Sequence, residues 1–446
     1  MKTAVRGAVL TFQGDPFVIG DDAAVHYHED SIVRMEDGLI REVRPAGEAL
    51  GELDAGERLE EYPGGLILPG FIDCHVHYPQ TGIIASYGTQ LLEWLEKYAF
   101  PEEGRFRDPE YAARIAGVYL GECFRNGITS ACVFCTVFPQ SVDALFAAAE
   151  PYAMRLMAGK VLMDRNAPPW LLDTPQKAYD DSKRLIHRRH KTGRFEYVMT
   201  PRFALTSSPE QLEVCAALAA EHPDMLIQSH ISENPREIDR VRELFPDCAD
   251  YADVYARYGL MRPRAIYGHG IHMSEREWDL FRETGAAIAH CPNSNLFVGS
   301  GCFDIRRSYM DGRAPIRTGL ATDIGGGDSF SPLRCMAEAY KVAQLNGYAL
   351  SPVKAFYLAT RGAARALYLD DRVGSLEAGM EADVVILDLF STPLIRRRMA
   401  TCESLAEQLF VQMILGDERA VAATYVSGRR VFGGIRPLPE DRAFHE

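Results

Sequence analysis

The sequence predicts an α/β chain: a closed (β/α)8 barrel of TIM type, with a small discontinuous β-sandwich domain built from both termini. Three observations predict it. Between residues 66 and 374, eight short apolar segments alternate with amphipathic helical stretches, the texture of buried parallel strands joined by crossover helices. Polar residues capable of chemistry collect at the C-terminal ends of those segments, where such barrels carry their sites. Both ends of the chain read instead as short alternating strands punctuated by glycine turns.

Residues 1–65 form the first part of the small domain. Ala4–Leu10 alternates, and Ser31–Met35 and Leu39–Val43 flank Asp37-Gly38, a hairpin signal. The barrel strands are expected at Leu66–His77, Gly127–Phe138, Arg155–Met163, Glu196–Phe203, Met225–His230, Ala265–Gly270, Ala286–Cys291 and Gly319–Asp323. Glu110–Asn126 and Pro209–His222 are among the helices between them. Residues 375–446 return to short strands at Ala382–Asp388 and Ala422–Arg430, with a helix over Leu405–Leu415, and complete the small domain.

The chain carries 48 Lys and Arg against 62 Asp and Glu, a net charge of -14. An acidic surface repels phosphate backbones, so no nucleic-acid partner is expected. The basic run Arg184–Lys191 reads as one face of a solvated helix. No run of about 18 apolar residues marks a membrane span. Asp15 and Asp21 interrupt any signal-peptide pattern, and the ten scattered cysteines lack a disulfide framework, so a cytoplasmic, reducing location is expected. Cys132-Val-Phe-Cys135 has no second pair and lies in an apolar strand, which predicts buried core thiols.

The central stretch is Leu68-Pro-Gly-Phe-Ile-Asp-Cys-His-Val-His77. Side chains alternate along a strand, so His75 and His77 are expected on one face, with Cys74 and Val76 on the other. A second His-x-His, His26-Tyr-His28, has no apolar lead-in and sits among Asp21, Asp22, Glu29 and Asp30; it reads as a solvated strand or turn. Strand ends add His230 on the fifth strand, His269 on the sixth, Asn293 and Asn295 beyond the seventh and Asp323 on the eighth. His187, His190, His222 and His445 fall in helices or tails and are expected at the surface. Three imidazoles and a carboxylate, His75, His77, His230 and Asp323, suit one borderline divalent cation, zinc first and iron second. Such a cation lowers the pKa of its water from 15.7 to about 7. Glu233, three residues after His230, is placed to shuttle a proton; otherwise it is a carboxylate favoured at a helix start. His269 reads as a further catalytic group; otherwise it is a core histidine or one that supports the ligands from behind. The fourth strand ends Thr200-Pro-Arg-Phe203, without the lysine that bridges two metals in hydrolytic barrels, which favours one metal. Glycines 325–327 lack a following Lys-Ser/Thr and are not a phosphate loop.

These segments, with His290-Cys-Pro-Asn-Ser-Asn295, resemble the amidohydrolase superfamily in its mononuclear, metal-dependent deaminase branch, over nearly the whole chain. Gln80 after the histidines and the Thr-Pro-Arg-Phe segment resemble the members that act on guanine. The resemblance implies hydrolysis of guanine to xanthine and ammonia, in purine catabolism, by water activated at the metal and attacking C2. It implies that Glu233 passes a proton to N3 and then to the leaving amine, that Asp323 orients or deprotonates the water, and that His269 orients it and stabilises the adduct. Gln80, Arg202 and Phe203 would hold the purine, with Arg202 donating to O6, beside His230, Glu233 and Asp323. Family members are commonly homodimers. A relative acting on 8-oxoguanine, adenine, cytosine or a chlorinated triazine would share the metal site and differ in the pocket, and an inactive scaffold would lose ligands that this chain retains.

Overall fold

A computed structural model describes residues 2–88, 90–309 and 312–434. The expected surface residue His445 and the end of the 375–446 segment, from 435 on, lie outside the described residues.

Eight parallel strands form a nearly closed barrel: Phe71–His77, Ile128–Phe134, Arg155–Gly159, Phe195–Pro201, Leu226–Ile231, Ala265–His269, Ala287–His290 and Thr318–Leu320, hydrogen-bonded in that order. A further short strand, Val161–Leu162, pairs with the fourth. The first strand meets the residues just beyond the eighth, where Asp323 N donates to His75 O at 3.0 Å and His77 N to Ile324 O at 2.8 Å. Helices follow the strands, Pro109–Arg125 after the first, Pro209–Glu221 after the fourth and Glu275–Thr284 after the sixth.

The barrel interior is filled from most strands by Ile72, Cys74, Cys132, Met157, Val198, Leu226, Ile266 and Ala289, and the short helix Arg361–Ala366 packs its alanines on this cluster. Residues facing outward, Val76, Val133 and Leu156 among them, pack in the layer shared with the helices. This two-sided burial explains why the strands read as continuous apolar runs.

Seven strands from both termini make one mixed sheet, in the order Arg429–Gly433, Val421–Val426, Val384–Asp388, Arg58–Pro69, Lys2–Phe12, Val25–Glu36, Leu39–Pro45. Only the Lys2–Phe12 and Arg58–Pro69 pair is parallel. The helix Leu405–Leu415 has the expected bounds and packs on the barrel helix Pro332–Leu345.

The expected first barrel strand, Leu66–His77, divides in two. Leu66 to Pro69 pair with Val384–Leu387 in the small sheet, and the barrel strand begins at Phe71. Gly70 is the joint: its N–H donates to Asp383 O, Phe71 N donates to Gly127 O, and a Cβ on Gly70 would lie 2.2 Å from Thr129 Oγ1. One apolar run therefore feeds two sheets, which periodicity alone does not separate.

The alternation expected at the two histidines also changes. The pairing of the first and second strands shifts between Asp73 and Val76, a bulge. Cys74 thus faces the barrel interior, in the same cluster as Ile72, while Val76 faces the helical layer. The bulge lets His75 and His77 follow Cys74 at the barrel mouth.

Candidate active site

The loops at the C-terminal ends of the strands enclose a pocket lined by His77, Gln80, Arg202, Phe203, His230, Glu233, His269 and Asp323, and by Leu91, Trp94, Leu95, Ser294, Val298 and Gly326. The structure thus brings together every residue expected in the site except His75, which lies directly behind them. His75 Nε2 is 3.4 Å from Asp323 Oδ1, His77 Nε2 is 3.6 Å from the same oxygen, and His77 Nε2 is 3.1 Å from His230 Nε2. All are buried.

The histidine tautomers follow from their outer partners. His230 Nδ1 lies 2.6 Å from the carbonyl oxygen of Arg202, so Nδ1 carries the hydrogen and Nε2 turns its lone pair to the centre. Burial holds the pKa of His75, and more strongly those of His77 and His230, below the usual range, which keeps these rings neutral. Burial would raise Asp323, but the adjoining imidazoles of His75, His269 and His230 hold it down at about 2. Neutral imidazoles and an ionised carboxylate are the protonation states a metal needs. His75 Nε2 also has no hydrogen-bond partner, an orphaned lone pair in a buried place. The donor set fits one divalent cation.

Gly268 makes the arrangement possible: a Cβ there would sit 2.7 Å from the Cε1 atom of His75. Phe134 packs against His75, His77 and His230 with ring centroids 4.5–4.8 Å apart, an apolar backing that sequence reading did not mark. Three non-glycine residues at the mouth hold left-handed backbone, Ser232 (φ 47°), His269 (φ 74°) and Asp323 (φ 48°). Such strain persists where surrounding structure enforces it, often at functional sites.

Glu233 does not serve the helix that follows. That helix, Pro235–Leu244, is capped by Asn234 and Glu237, and Glu237 also accepts the backbone N–H of Glu233. The Glu233 side chain turns inward, accepts from Ser300 Oγ at 3.0 Å and lies 3.4 Å from His269 Nε2. Burial raises its pKa to about 7, against the opposing pull of His269. His269 is 2.8 Å from Asn295 Oδ1 through Nδ1, which donates. Burial disfavours its charge, but the carboxylates of Glu233 and Asp323 push its pKa up. A proton-transfer pair, one carboxyl near neutral and one imidazole biased to its charged form, thus stands beside the donor set.

Arg202 is anchored rather than free. Its Nη1 lies 2.8 Å from both oxygens of Glu103, and Gln80 Nε2 donates to Glu103 Oε1, also at 2.8 Å. Gln80 Oε1 accepts from Gly325 N at 3.1 Å. Glu103 lies in the insert between the first strand and its helix, and is fully buried. Sequence reading missed it, because Glu102-Glu103 stands among the charged residues Glu93, Glu96, Lys97, Arg105, Arg107 and Asp108 and nothing local marks it for burial. Asn295 was noted only by its place, and Ser300 not at all.

The other expectations resolve cleanly. Cys132 and Cys135 are both buried, but in different layers: Cys132 is inside the barrel, donating to Gln228 Oε1, and Cys135 is in the helical layer. Cys291, near His269 and Asp323, has its thiol pKa raised well up by burial and donates to Ala289 O, so it stays protonated. His26 and His28 lie on the strand Val25–Glu36, with Nε2 atoms 2.8 Å apart, His26 exposed and His28 partly so.

A profile described as the amidohydrolase family matches residues 66–431. The chain belongs to the amidohydrolase family. It is 47% identical over 405 residues to the guanine deaminase of Escherichia coli strain K12, covering 89% of this chain and 92% of that protein. A solved structure of E. coli guanine deaminase superposes with a TM-score of 0.94 at 44% identity, covering 97% of this chain and 99% of that one. Guanine deaminase from C. acetobutylicum, solved with guanine bound in its active site, superposes with a TM-score of 0.86 at 27% identity, covering 97% and 100%.

Proposed function

We propose that this chain hydrolyses guanine to xanthine and ammonia. The observation that carries the reading is one buried pocket whose wall combines His77, His230, Asp323 and Glu233 with Gln80, Arg202 and Phe203. Similarity to guanine deaminases over nine-tenths of the chain supports it.

A divalent metal held by His75, His77, His230 and Asp323 supplies, when bound, a water acidic enough to be deprotonated near neutral pH. Glu233, with a pKa raised to about 7, takes one proton of the water and delivers it to N3 of the base, then carries the second, from the new C2 hydroxyl, to the amine, which leaves as ammonia. The C2–O bond forms first, as N3 gains its proton, giving a tetrahedral adduct; the C2–N bond breaks afterwards, when the amine is protonated. His269, held by Asn295, orients the water and donates from Nε2 to the oxygen that becomes the product carbonyl. Arg202 donates to O6, Gln80 sits beside the base and Phe203 walls the ring. Leu91, Trp94 and Leu95 of the insert exclude bulk water.

Zn2+ is the metal in this proposal, with Fe2+ as the substitute; the homodimer comes with the family resemblance, and the cytoplasmic location from the scattered, unpaired cysteines. Among the described residues no helix is long and apolar enough to cross a membrane. The test is ammonia release across purines, pyrimidines and triazines. Guanine is expected to be the best substrate; a stronger preference for adenine, cytosine or a triazine overturns the assignment.

A further inference from the structure

Glu103 has a position that the reaction as described does not use. It sits in the short helix Phe100–Gly104 of the insert, has no exposed surface, and makes each of its polar contacts at the base pocket. One oxygen takes Gln80 and Arg202 together, and the other takes Arg202 again. Through Gln80 the link continues to Gly325, in the loop after Asp323. One carboxylate thus ties the insert to the exits of the first, fourth and eighth strands.

Two consequences follow from the chemistry. First, the amide of Gln80 has one orientation, because its nitrogen faces a carboxylate and its oxygen faces a backbone N–H. Second, the guanidinium of Arg202, buried and permanently charged, is compensated at contact distance. Without Glu103 an uncompensated cation would stand where the base binds. The substrate here is a neutral base. Its deaminated product carries a second ring carbonyl and is the stronger acid, so a bare cation would favour the product's anion over the substrate.

Resting on guanine as substrate, we propose that Glu103 is the positioning residue of the base pocket, fixing Arg202 and Gln80 while cancelling the charge of Arg202, so that the pocket discriminates neutral guanine from anionic xanthine. Glu103 touches neither the water nor the reacting carbon; it acts through Arg202 and Gln80.

The experiment uses the metal-loaded enzyme and its Glu103→Gln variant. It measures KM for guanine and, by calorimetry, Kd for xanthine. A side chain of the same shape without charge should raise the first and lower the second, so that the ratio Kd(xanthine)/KM(guanine) falls at least tenfold. A general loosening would weaken both alike, and a ratio within threefold of the wild type, or one that rises, overturns the proposal; an intermediate fall counts against it as well. If Glu103→Gln does not fold, Arg202→Leu tests the same charge balance from the other side, and the ratio must then rise at least tenfold. Failure of the wild type to release ammonia from guanine rejects the substrate assignment, and the Glu103 claim is then judged on xanthine Kd alone, which must still tighten in Glu103→Gln.

Discussion

His269 and Glu233 face each other across the mouths of the fifth and sixth barrel strands, with Nε2 3.4 Å from Oε2. Neither side chain reaches the other by local structure: the 35 residues 234–268, of loop, helices and strand, lie between them, and the parallel pairing of Ile231 with His269 brings them together. Their opposed electrostatics decide which proton moves. Burial raises Glu233 to about 7, and the nearby carboxylates bias His269 toward its charged form.

Glu233→Gln should retain metal and bind guanine but lose turnover by about 10²- to 10⁴-fold, the usual worth of a general acid/base. The wild-type kcat/KM should fall as pH drops through about 7, because the carboxylate that accepts the water's proton becomes protonated. A loss under tenfold, or an unchanged acidic limb, removes Glu233 from proton transfer.

The same shift has a sign for stability. The folded-state pKa of Glu233 lies above its ordinary 4.5, so folding favours the protonated form. Its stabilising contribution is full below pH 4.5 and is lost as pH rises through about 7. Metal-free Glu233→Gln should therefore be more stable than metal-free wild type at pH 8, by up to about 3 kcal/mol, and melt higher, and the difference should disappear at pH 4. Thermal unfolding at the two pH values checks this.

Purified protein should hold one divalent metal per chain, and His230→Ala should lose metal and activity together, because its Nε2 is locked toward the centre by the Nδ1 contact to Arg202 O. Elemental analysis finding two tightly bound metals per chain would sink the mononuclear reading.

Gly268→Ala places a methyl group 2.7 Å from the His75 ring, which is packed against Phe134, so the ring must shift from its place. Metal affinity should drop at least tenfold while the far-ultraviolet circular dichroism stays that of the wild type. Metal titration of the apo variant is the measurement; wild-type affinity would show that His75 is not held by that contact.

Arg202→Leu should lower kcat/KM for guanine by roughly 1.5–3 kcal/mol, the worth of a charged hydrogen bond, with metal content unchanged. Adenine presents an amino donor where guanine presents O6, so wild type should discriminate strongly against it. Kinetics on guanine, 8-oxoguanine and adenine test both statements, and intact guanine turnover in the variant would show that Arg202 does not read O6.

The cluster of histidines with Asp323 was legible in the sequence because each member stands at the end of a locally recognisable element. His75, His77, His230, His269 and Asp323 each end an apolar segment, and the barrel rule sends all such ends to one face. What sequence alone determined was this local information: which segments are strands, where they stop, and which polar side chains stand at the stops. Tertiary structure decided the rest. The division of the Leu66–His77 run at Gly70 depends on Asp383 and Thr129, and the bulge that turns both Cys74 and His75 inward depends on pairing with the second strand. Glu103 depends on Arg202, which is 99 residues away in the chain and 2.8 Å away in space. Alternation and capping act over a few neighbouring residues, whereas a buried charge is located by the partner that compensates it, and that partner is chosen only when the chain closes.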